Sequence, residues 1–439
     1  MTPLGEPASF ADRSATDDPV LRGTNQSGMR AQNERLVLTL LRQHGALAKS
    51  DIARITGLSA QTVSVIMRAL EQDGLLQRGA PQRGRIGQPS IPMSLAPDGA
   101  FFFGLKIGRR SADLILVDFL GRAVRLERQV YRYPTPSAVV EFVATTLPRL
   151  VADLPAGARA RIGGLGVAMP FQLWNWVQSI GAPQAEMDAW RNRDIQTELA
   201  ALTGLPVYVQ NDATAACGAE LVFGTGERPK DFLYFYFGTF IGGGLVLNGQ
   251  LFTGRSGNAA GVGPIPVPGP DGKTRRLLDV ASMSVLADAM ESAGEPSDHL
   301  WAQHLDWRVS DAVLTPWLDG AANGLAHAIL TAAALIELDT VLIDGWIPAN
   351  IRAELTGRTH NALHAMDLAG IDPPTLREGT VGANARVLGA AAIPLSQRYL
   401  IDQNAFLALI RACGDENAFR CRLWGLKILK LVSTGLCSV

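Results

Sequence analysis

Cysteine is scarce in this 439-residue chain, which has four cysteines and no Cys-x-x-Cys pair. Four separated thiols provide neither a disulfide framework nor a four-thiolate zinc site, and they fit a reducing compartment best. We therefore expect a cytoplasmic protein. Its length allows two or three domains, each with its own core.

Long apolar runs are also missing. The longest, residues 326–336, contains His327 and stops before Glu337, and it has about half the length that a membrane span requires. Residues 1–29 contain four acids and no apolar run, so we expect a disordered leader rather than a signal peptide. Neither export nor a membrane partner is predicted.

A strong net charge is absent as well, because 40 basic and 41 acidic residues leave a formal charge of −1. The charges are distributed unevenly. Between Arg30 and Asp98, nine Arg or Lys residues stand against five Asp or Glu residues, a local net of +4. A small basic module ahead of a larger body is typical of a DNA-binding headpiece.

The basic module has the turn chemistry of a helix-turn-helix. After a first helix, a short second helix is predicted with Ser50 as its N-cap and Gly57 as its end. Ser59 is placed to cap a third helix over residues 60–73. Four apolar residues of this third helix recur at helical spacing and are expected to be buried: Val63, Ile66, Met67 and Leu70.

The outward face of the third helix carries side chains that suit DNA recognition. Glutamine pairs bidentately with adenine, and serine or threonine contacts bases or phosphates. We predict DNA contacts from four residues of this helix, the first three as base readers: Gln61, Thr62, Ser64 and Arg68. The alternative is a generic helical pair with a solvated basic loop.

A hairpin with a cationic tip follows the third helix. Residues 75–77 and 90–95 flank a glycine-rich loop, and three arginines lie in or beside it: Arg78, Arg83 and Arg85. Such a wing places arginines on phosphates or in a minor groove, which gives salt-dependent affinity without sequence information. The predicted winged helix-turn-helix domain spans residues 30–98.

The rest of the chain has the element order of an α/β domain. Three strands over residues 101–131 predict a β-meander, and later strands at 231–237 and 242–247 flank a glycine-rich turn as a hairpin. Residues 335–343 are predicted to form a helix and then a strand, and residues 382–396 a closing Ala-rich helix.

Several ordered motifs of this region resemble the ROK family, which joins bacterial repressors and sugar kinases. Residues 211–213 are Asn-Asp-Ala, residues 223–226 are Phe-Gly-Thr-Gly, and residues 238–244 resemble the family's second phosphate loop. The resemblance covers about residues 30–400. It implies a two-lobed, actin-like ATPase fold (ribonuclease H-like) for residues 99–400 and leaves residues 401–439 unassigned.

The same resemblance indicates which functional residues of the family's kinases are missing from this chain. Kinases of the family carry Asp-x-Gly-Gly-Thr in the first loop, where the Asp serves the Mg²⁺ of ATP; here residues 106–110 are Lys-Ile-Gly-Arg-Arg. The family's sugar-gripping Glu and its zinc-ligating His correspond to Gly261 and Pro264, and residues 264–282 contain no Cys or His. The resemblance implies no phosphoryl transfer, no metal and no cofactor.

The resemblance also implies which ligand-site residues of the family this chain retains. Asn211 and Asp212 match the family's sugar-binding Asn and its catalytic base, although Asp212 is not expected to act as a base here. We expect six residues at a ligand site: Asn211, Asp212, Gly238, Thr239, Gly242 and Lys106. In the alternative, Asn211 and Asp212 only cap a helix, and the glycines only form a tight hairpin that requires positive φ.

The sequence predicts a sequence-specific transcriptional regulator, a repressor in the leading interpretation, that binds double-stranded operator DNA. A sugar or sugar-phosphate effector is expected, and Lys106 with Arg109 and Arg110 favours an anionic one. A homodimer or higher homo-oligomer is expected because paired recognition helices contact half-sites about one helical turn apart. The alternatives are an ATP-dependent hexose kinase and a DNA-binding protein whose large domain only dimerises.

Overall fold

The computed structural model describes residues 26–81, 90–155, 157–171, 173–176, 181–302 and 306–401. Within these ranges, residues 37–400 form one compact unit. Most of the predicted leader and nearly all of the C-terminal extension lie outside the described residues. None of the helices in the described ranges combines the length and hydropathy needed for a membrane span.

Three helices and a two-stranded sheet form the headpiece. They are α1 (Gln26–His44), α2 (Lys49–Thr56), α3 (Ala60–Gln72), β1 (Leu76–Arg78) and β2 (Met93–Leu95). The two strands are antiparallel, with Leu76 opposite Leu95. The predicted helices and hairpin are confirmed, but α1 begins at Gln26, so the last four residues of the predicted leader are helical.

Local turn chemistry explains where the headpiece helices begin and end. The Ser59 hydroxyl accepts a hydrogen bond from the Thr62 amide at the start of α3, and Gly57 ends α2 in the left-handed conformation. The predicted Ser50 cap is wrong, because α2 begins at Lys49 and its N-cap residue contributes no side-chain bond. The helix begins one residue before Ser50, directly after the N-cap residue Ala48, and Leu47 forms a β-bridge to β2.

A five-stranded mixed sheet forms the first lobe of the large domain, in the order β5-β4-β3-β6-β7. Its strands are β3 (Phe101–Ile107), β4 (Ser111–Asp118), β5 (Ala123–Val130), β6 (Ile162–Met169) and β7 (Val207–Asn211). The first three form the predicted antiparallel meander, and β6 and β7 are parallel to β3. The lobe also contains α4 (Pro136–Ala152), α5 (Gln184–Asp188) and α6 (Ile195–Thr203).

The second lobe repeats this topology in the order β10-β9-β8-β13-β14. Its strands are β8 (Phe232–Phe237), β9 (Gly242–Leu247), β10 (Gln250–Phe252), β13 (Thr340–Gly345) and β14 (Thr375–Glu378), with a separate hairpin of β11 (Pro266–Pro268) and β12 (Thr274–Arg276). Its helices are α8 (Leu278–Ala281), α9 (Met283–Ser292), α10 (Asp311–Ala333) and α11 (Ala349–His364). The helix predicted from Leu335 is wrong, because α10 already contains most of the apolar run and Leu335 lies 80% exposed in the following turn.

Two helices rich in small residues pack against each other between the lobes: α7 (Asp212–Phe223) and α12 (Ala385–Tyr399). A Cβ at Gly389 would lie 1.8 Å from the Ala215 carbonyl oxygen, so the two backbones are in direct contact. Two glycines of the sheets allow similar close approaches on the other sides of the pair. An added Cβ at Gly104 of β3 would overlap α12, and one at Gly244 of β9 would overlap α7. The pair therefore links both sheets with little room for independent movement.

Gly389→Ala is expected to lower the free energy of unfolding by about 1–3 kcal/mol, because its methyl group would overlap the Ala215 carbonyl and force the helices apart. Gly357→Ala is the matched control: Gly357 lies within α11 with nothing within 4 Å of its added Cβ. That variant should be neutral or more stable by up to about 1 kcal/mol. Urea unfolding of both variants measures the difference, and equal effects would contradict the close packing of α7 and α12.

The headpiece and the first lobe share one apolar core. Buried headpiece residues such as Leu41, Leu70 and Met93 belong to the same cluster as Phe102 and Phe119 of the first lobe. The Tyr399 ring at the end of α12 lies edge-on to both phenylalanines, with ring centroids 5.9 and 5.0 Å away. The predicted boundary at residues 98 and 99 thus falls inside a continuous core rather than in a flexible linker.

Candidate functional site

Helix α3 presents one polar face to solvent, because its apolar residues are buried in the headpiece core. Val63, Ile66, Met67 and Leu70 are buried as predicted. Gln61 and Arg68 are exposed on the opposite side of the helix. Both therefore have the access that a DNA-contacting side chain needs, and Gln61 lies in the first turn, where recognition helices reach base edges.

The two other predicted readers on α3 are half-buried and already hydrogen-bonded. The Thr62 hydroxyl lies 2.8 Å from the Ser59 hydroxyl, so it supports the N-cap. The Ser64 hydroxyl accepts from the Lys49 ammonium at 3.2 Å. Lys49 begins α2 beside α3, and this placement offers a phosphate contact next to Ser64 that sequence reasoning missed.

Val65 is a further residue that sequence reasoning missed. Its side chain is 52% exposed, although valine is normally a core residue. It follows Gln61 by four residues and therefore lies on the same helix face. This spacing was the available signal, since Val65 does not fit the buried row of α3. Its methyl groups suit an apolar contact with thymine.

The two strands of the hairpin are present, and Arg78 is the one of its three predicted arginines that lies within the described residues. Arg78 on β1 forms a bidentate ion pair with Glu71 of α3 and so has a local counterion. Arg83 and Arg85 lie outside the described residues, and their roles stay predictions. Arg78 therefore has little free charge to offer a phosphate.

Lys106 ends in a buried charge cluster in the first lobe. Its ammonium donates to the Ser111 hydroxyl at 2.8 Å and to the Asp113 carboxylate at 3.1 Å. Arg128 binds the same carboxylate through two nitrogens at 2.7 and 3.0 Å. The predicted ligand contact from Lys106 would therefore require this residue to leave existing partners.

Burial and charge act in opposite directions within this cluster. Burial lowers the pKa of Lys106 to about 8, with Arg386 and Arg128 adding to this effect and Asp113 opposing it. Burial alone would raise the pKa of Asp113, but Lys106 and Arg128 hold it below its ordinary value. The Asp113 carboxylate is thus the shared counterion of Lys106 and Arg128.

Three arginines of the first lobe stack on aromatic rings of the second lobe across the cleft. The guanidinium carbons of Arg109, Arg110 and Arg128 lie 4.4, 4.8 and 4.9 Å from the ring centroids of Phe240, Trp301 and Trp346, respectively. Burial lowers the pKa of Arg109 to about 10. Cation–π contacts of this kind stabilise the approach of the lobes, and two of the arginines stand where the family's phosphate loop has Gly and Thr.

Asn211 and Asp212 are brought together at the start of α7, where each has a protein partner. The Asn211 side-chain oxygen accepts from the amides of Ala213 and Thr214, at 3.0 and 3.3 Å, so it caps the helix. Asp212 forms an ion pair with Arg386 of α12 at 3.2 Å. A sugar hydroxyl would have to share or replace these bonds.

The glycine-rich turn between β8 and β9 is held by backbone contacts to the start of α9. The carbonyls of Gly238 and Thr239 accept from the amides of Met283 and Ser284. Neither Gly238 nor Gly242 has positive φ, so the alternative in which these glycines are needed for a tight hairpin with positive φ is wrong. At Gly242 the reason is close packing, because an added Cβ would lie 2.6 Å from the Ala213 side chain.

The first loop and the two ion-pair clusters described above contain more cations than carboxylates. The cations are Lys106, Arg109, Arg110, Arg128 and Arg386, and the carboxylates are Asp113 and Asp212. Among the described residues, no three His, Cys, Asp or Glu side chains group as metal ligands.

Comparison with known proteins identifies both parts of the chain. The ROK family matches residues 102–396, and a winged helix-turn-helix DNA-binding domain matches residues 30–77. An uncharacterized protein of Sinorhizobium fredii is 22% identical over 84% of this chain and 91% of its own length. A xylose repressor of Bacillus subtilis is 20% identical over 55% of this chain and 62% of its own length.

A solved structure supports the same assignment of fold. It is a ROK family transcriptional regulator, a homologue of the E. coli MLC protein, with 20% identity and a TM-score of 0.62 over 87% of this chain and 99% of its own. The predicted two-lobed, sugar-kinase-like fold behind a winged helix-turn-helix is confirmed. This chain belongs to the ROK family and carries a DNA-binding headpiece ahead of the ROK domain.

Proposed function

We propose that this chain is a cytoplasmic, sequence-specific transcriptional repressor of genes for carbohydrate metabolism or transport. The observation that carries the proposal is an exposed recognition helix, α3, fixed by its core residues to a sugar-kinase-like body. The xylose repressor among the relatives supports the carbohydrate assignment. Recovery of a defined duplex from a randomised pool by the purified chain tests the proposal, and enrichment of no sequence would contradict it.

The proposed DNA contacts divide into two classes. Gln61 and Val65 face a base edge from α3, whereas Lys49 and Arg68, with Arg83 and Arg85, supply phosphate contacts. Thr62 and Ser64 serve first to hold α3 and its neighbour, and contact DNA through the remaining capacity of their hydroxyls. A homodimer would place two such helices on half-sites about one turn apart.

The effector is proposed to be a sugar phosphate that binds between the lobes. Asn211 and Asp212 offer groups for sugar hydroxyls, and the arginines of the first loop favour a negatively charged group. Because Lys106 is held by Asp113 and Ser111, Arg109 and Arg110 are the proposed contacts for the phosphate. Effector binding would shift a population between lobe arrangements, which requires unequal affinity for the two.

A phosphorylated sugar is expected to stabilise the chain, whereas its neutral counterpart is not. At about 100 times its Kd, such a ligand raises the thermal midpoint on the order of 3 °C. Glucose 6-phosphate against glucose, and xylose 5-phosphate against xylose, are the matched pairs for a thermal-shift measurement. Arg110→Ala should reduce the response. Equal shifts from both members of a pair would contradict an anionic effector, and no shift from any of them would favour a body that only dimerises.

Catalysis by the large domain is not part of this proposal. A kinase needs a free carboxylate to serve as base and another to serve Mg²⁺, whereas Asp212 is paired with Arg386 and the first loop carries Lys106. The active hexose kinase is the alternative function. Hexose-dependent consumption of ATP by the purified chain would support that alternative.

A further inference from the structure

Arg42 is a half-buried cation at the junction between the headpiece and the large domain. It lies in the last turn of α1, and its guanidinium donates to the Phe119 carbonyl of the first lobe. The Nε atom is buried without a hydrogen-bond partner among the described residues. Burial, with a further effect from Arg228, lowers the pKa of Arg42 to about 10. An arginine is a costly choice for a position that a Leu or Met would fill.

The guanidinium of Arg42 also lies between two rings. Its carbon is 5.4 Å from the Phe119 ring centroid and 5.8 Å from the Phe223 ring centroid. Phe223 is the last residue of α7, and its ring fills a notch at Gly121, where an added Cβ would lie 2.3 Å from the ring. The headpiece thus contacts the C-terminal end of α7 through Arg42.

The other end of α7 lies in the cleft. Its first residue, Asp212, pairs with Arg386 at 3.2 Å. A helix of 12 residues spans about 18 Å, and its backbone is in contact with α12 at Gly389. A helix held this tightly moves as a unit, so a displacement at Asp212 reaches Phe223.

We propose that Arg42 is a positioning residue that reports the state of the cleft to the DNA-binding headpiece through α7. A ligand that replaces the Asp212–Arg386 ion pair displaces α7 and α12 together, moves the Phe223 ring and changes the contacts of Arg42. The orientation of α3 on the body changes with it, because α1 and α3 share one core. This inference rests on the proposed regulatory function.

A double-mutant cycle tests the coupling without an identified effector. Asp212→Asn, which removes the charge paired with Arg386, is expected to change the Kd for the selected duplex by about threefold or more. The Arg42→Met background keeps the apolar volume and removes the cation. In that background, Asp212→Asn should change the free energy of DNA binding by less than about half as much as it does in the parent chain. Phe223→Leu should suppress the effect in the same way.

The controls separate coupling from simple loss of stability or charge. Arg149→Met removes an exposed arginine of α4, far along the chain from the junction, and should leave the Asp212→Asn effect unchanged. Hydrogen exchange of residues 37–44 gives a readout without DNA: it should respond to Asp212→Asn in the parent chain and not in the Arg42→Met background.

Three outcomes decide the inference. Non-additive effects with an unchanged Arg149→Met control would support it. Specific DNA binding with additive effects, or with no effect of Asp212→Asn, would overturn the coupling while the proposed function stands. Equal binding of the parent chain to selected and random DNA would overturn the proposed function and the coupling together.

Discussion

Asp113→Ala is expected to lower the free energy of unfolding by about 3–5 kcal/mol, because it leaves the buried Lys106 and the half-buried Arg128 without their shared anion. The Asp113 side chain is 4% exposed, and Lys106 and Arg128 are 8% and 17% exposed. Water therefore cannot replace the lost carboxylate at low cost. Urea unfolding at pH 7 measures the change.

Asp153→Ala is the matched control for this loss. Asp153 also pairs with an arginine, Arg125, but both side chains are about 60% exposed and 3.5 Å apart. Asp153→Ala should lower the free energy of unfolding by about 0–1 kcal/mol. Similar losses in the two variants would contradict the buried charge cluster.

The difference in the free energy of unfolding between Asp113→Ala and the parent chain should become smaller at acidic pH. The folded-state pKa of Asp113 is lowered, so its stabilisation is fully present above the unfolded value of about 4 and is lost as pH falls through the lower folded value. Unfolding measured at pH 7 and at successive steps below pH 4 shows this convergence. A difference that stays constant with pH would mean that packing, rather than charge, stabilises the cluster.

Gln61→Ala is expected to remove discrimination at one base pair of the selected duplex. A bidentate contact contributes about 1–3 kcal/mol of preference, so the Kd ratio between the preferred and the substituted duplex should fall by about 5- to 150-fold. Binding to random DNA should change little. Competition between duplexes that differ at single positions measures the ratio and locates the base pair.

Arg68→Ala is the contrasting variant on the same helix face. Loss of a phosphate contact weakens binding to all sequences alike and reduces the slope of log Kd against log salt by about one. The opposite result, in which Arg68→Ala alters base preference and Gln61→Ala lowers affinity uniformly, would exchange the two roles.

The sequence predicted the headpiece well because its signals are local. A cap such as Ser59, a left-handed glycine such as Gly57 and a buried row such as Val63 to Leu70 each depend on residues within one or two turns. The prediction failed at Ser50, since α2 begins at Lys49, two residues after Leu47, which forms a β-bridge to β2 more than 40 residues away.

The partners of charged residues in the cleft were not predictable from spacing. Lys106 was expected to face a ligand, but strand pairing places it opposite Asp113 on β4, and Asp113 opposite Arg128 on β5. The same holds for Asp212, which meets Arg386 from 174 positions away. Sheet register and helix packing decide such pairs, and motifs do not contain that information.

The junction at Arg42 illustrates the same limit. In the sequence, Arg42 is one of nine cations in a basic module and gives no sign that it faces inward. Its position follows from the core shared between α1 and the first lobe, which places Phe119 and Phe223 beside it. A basic module therefore contains at least one cation that serves the body rather than the DNA.

Titration of the purified chain against its selected duplex and a shuffled duplex, at two salt concentrations, tests the central claim most directly. We expect binding to the selected duplex at least about 10³-fold tighter than to the shuffled one, with both affinities falling as salt rises. Equal affinity for the two duplexes at both salt concentrations would contradict a sequence-specific regulator.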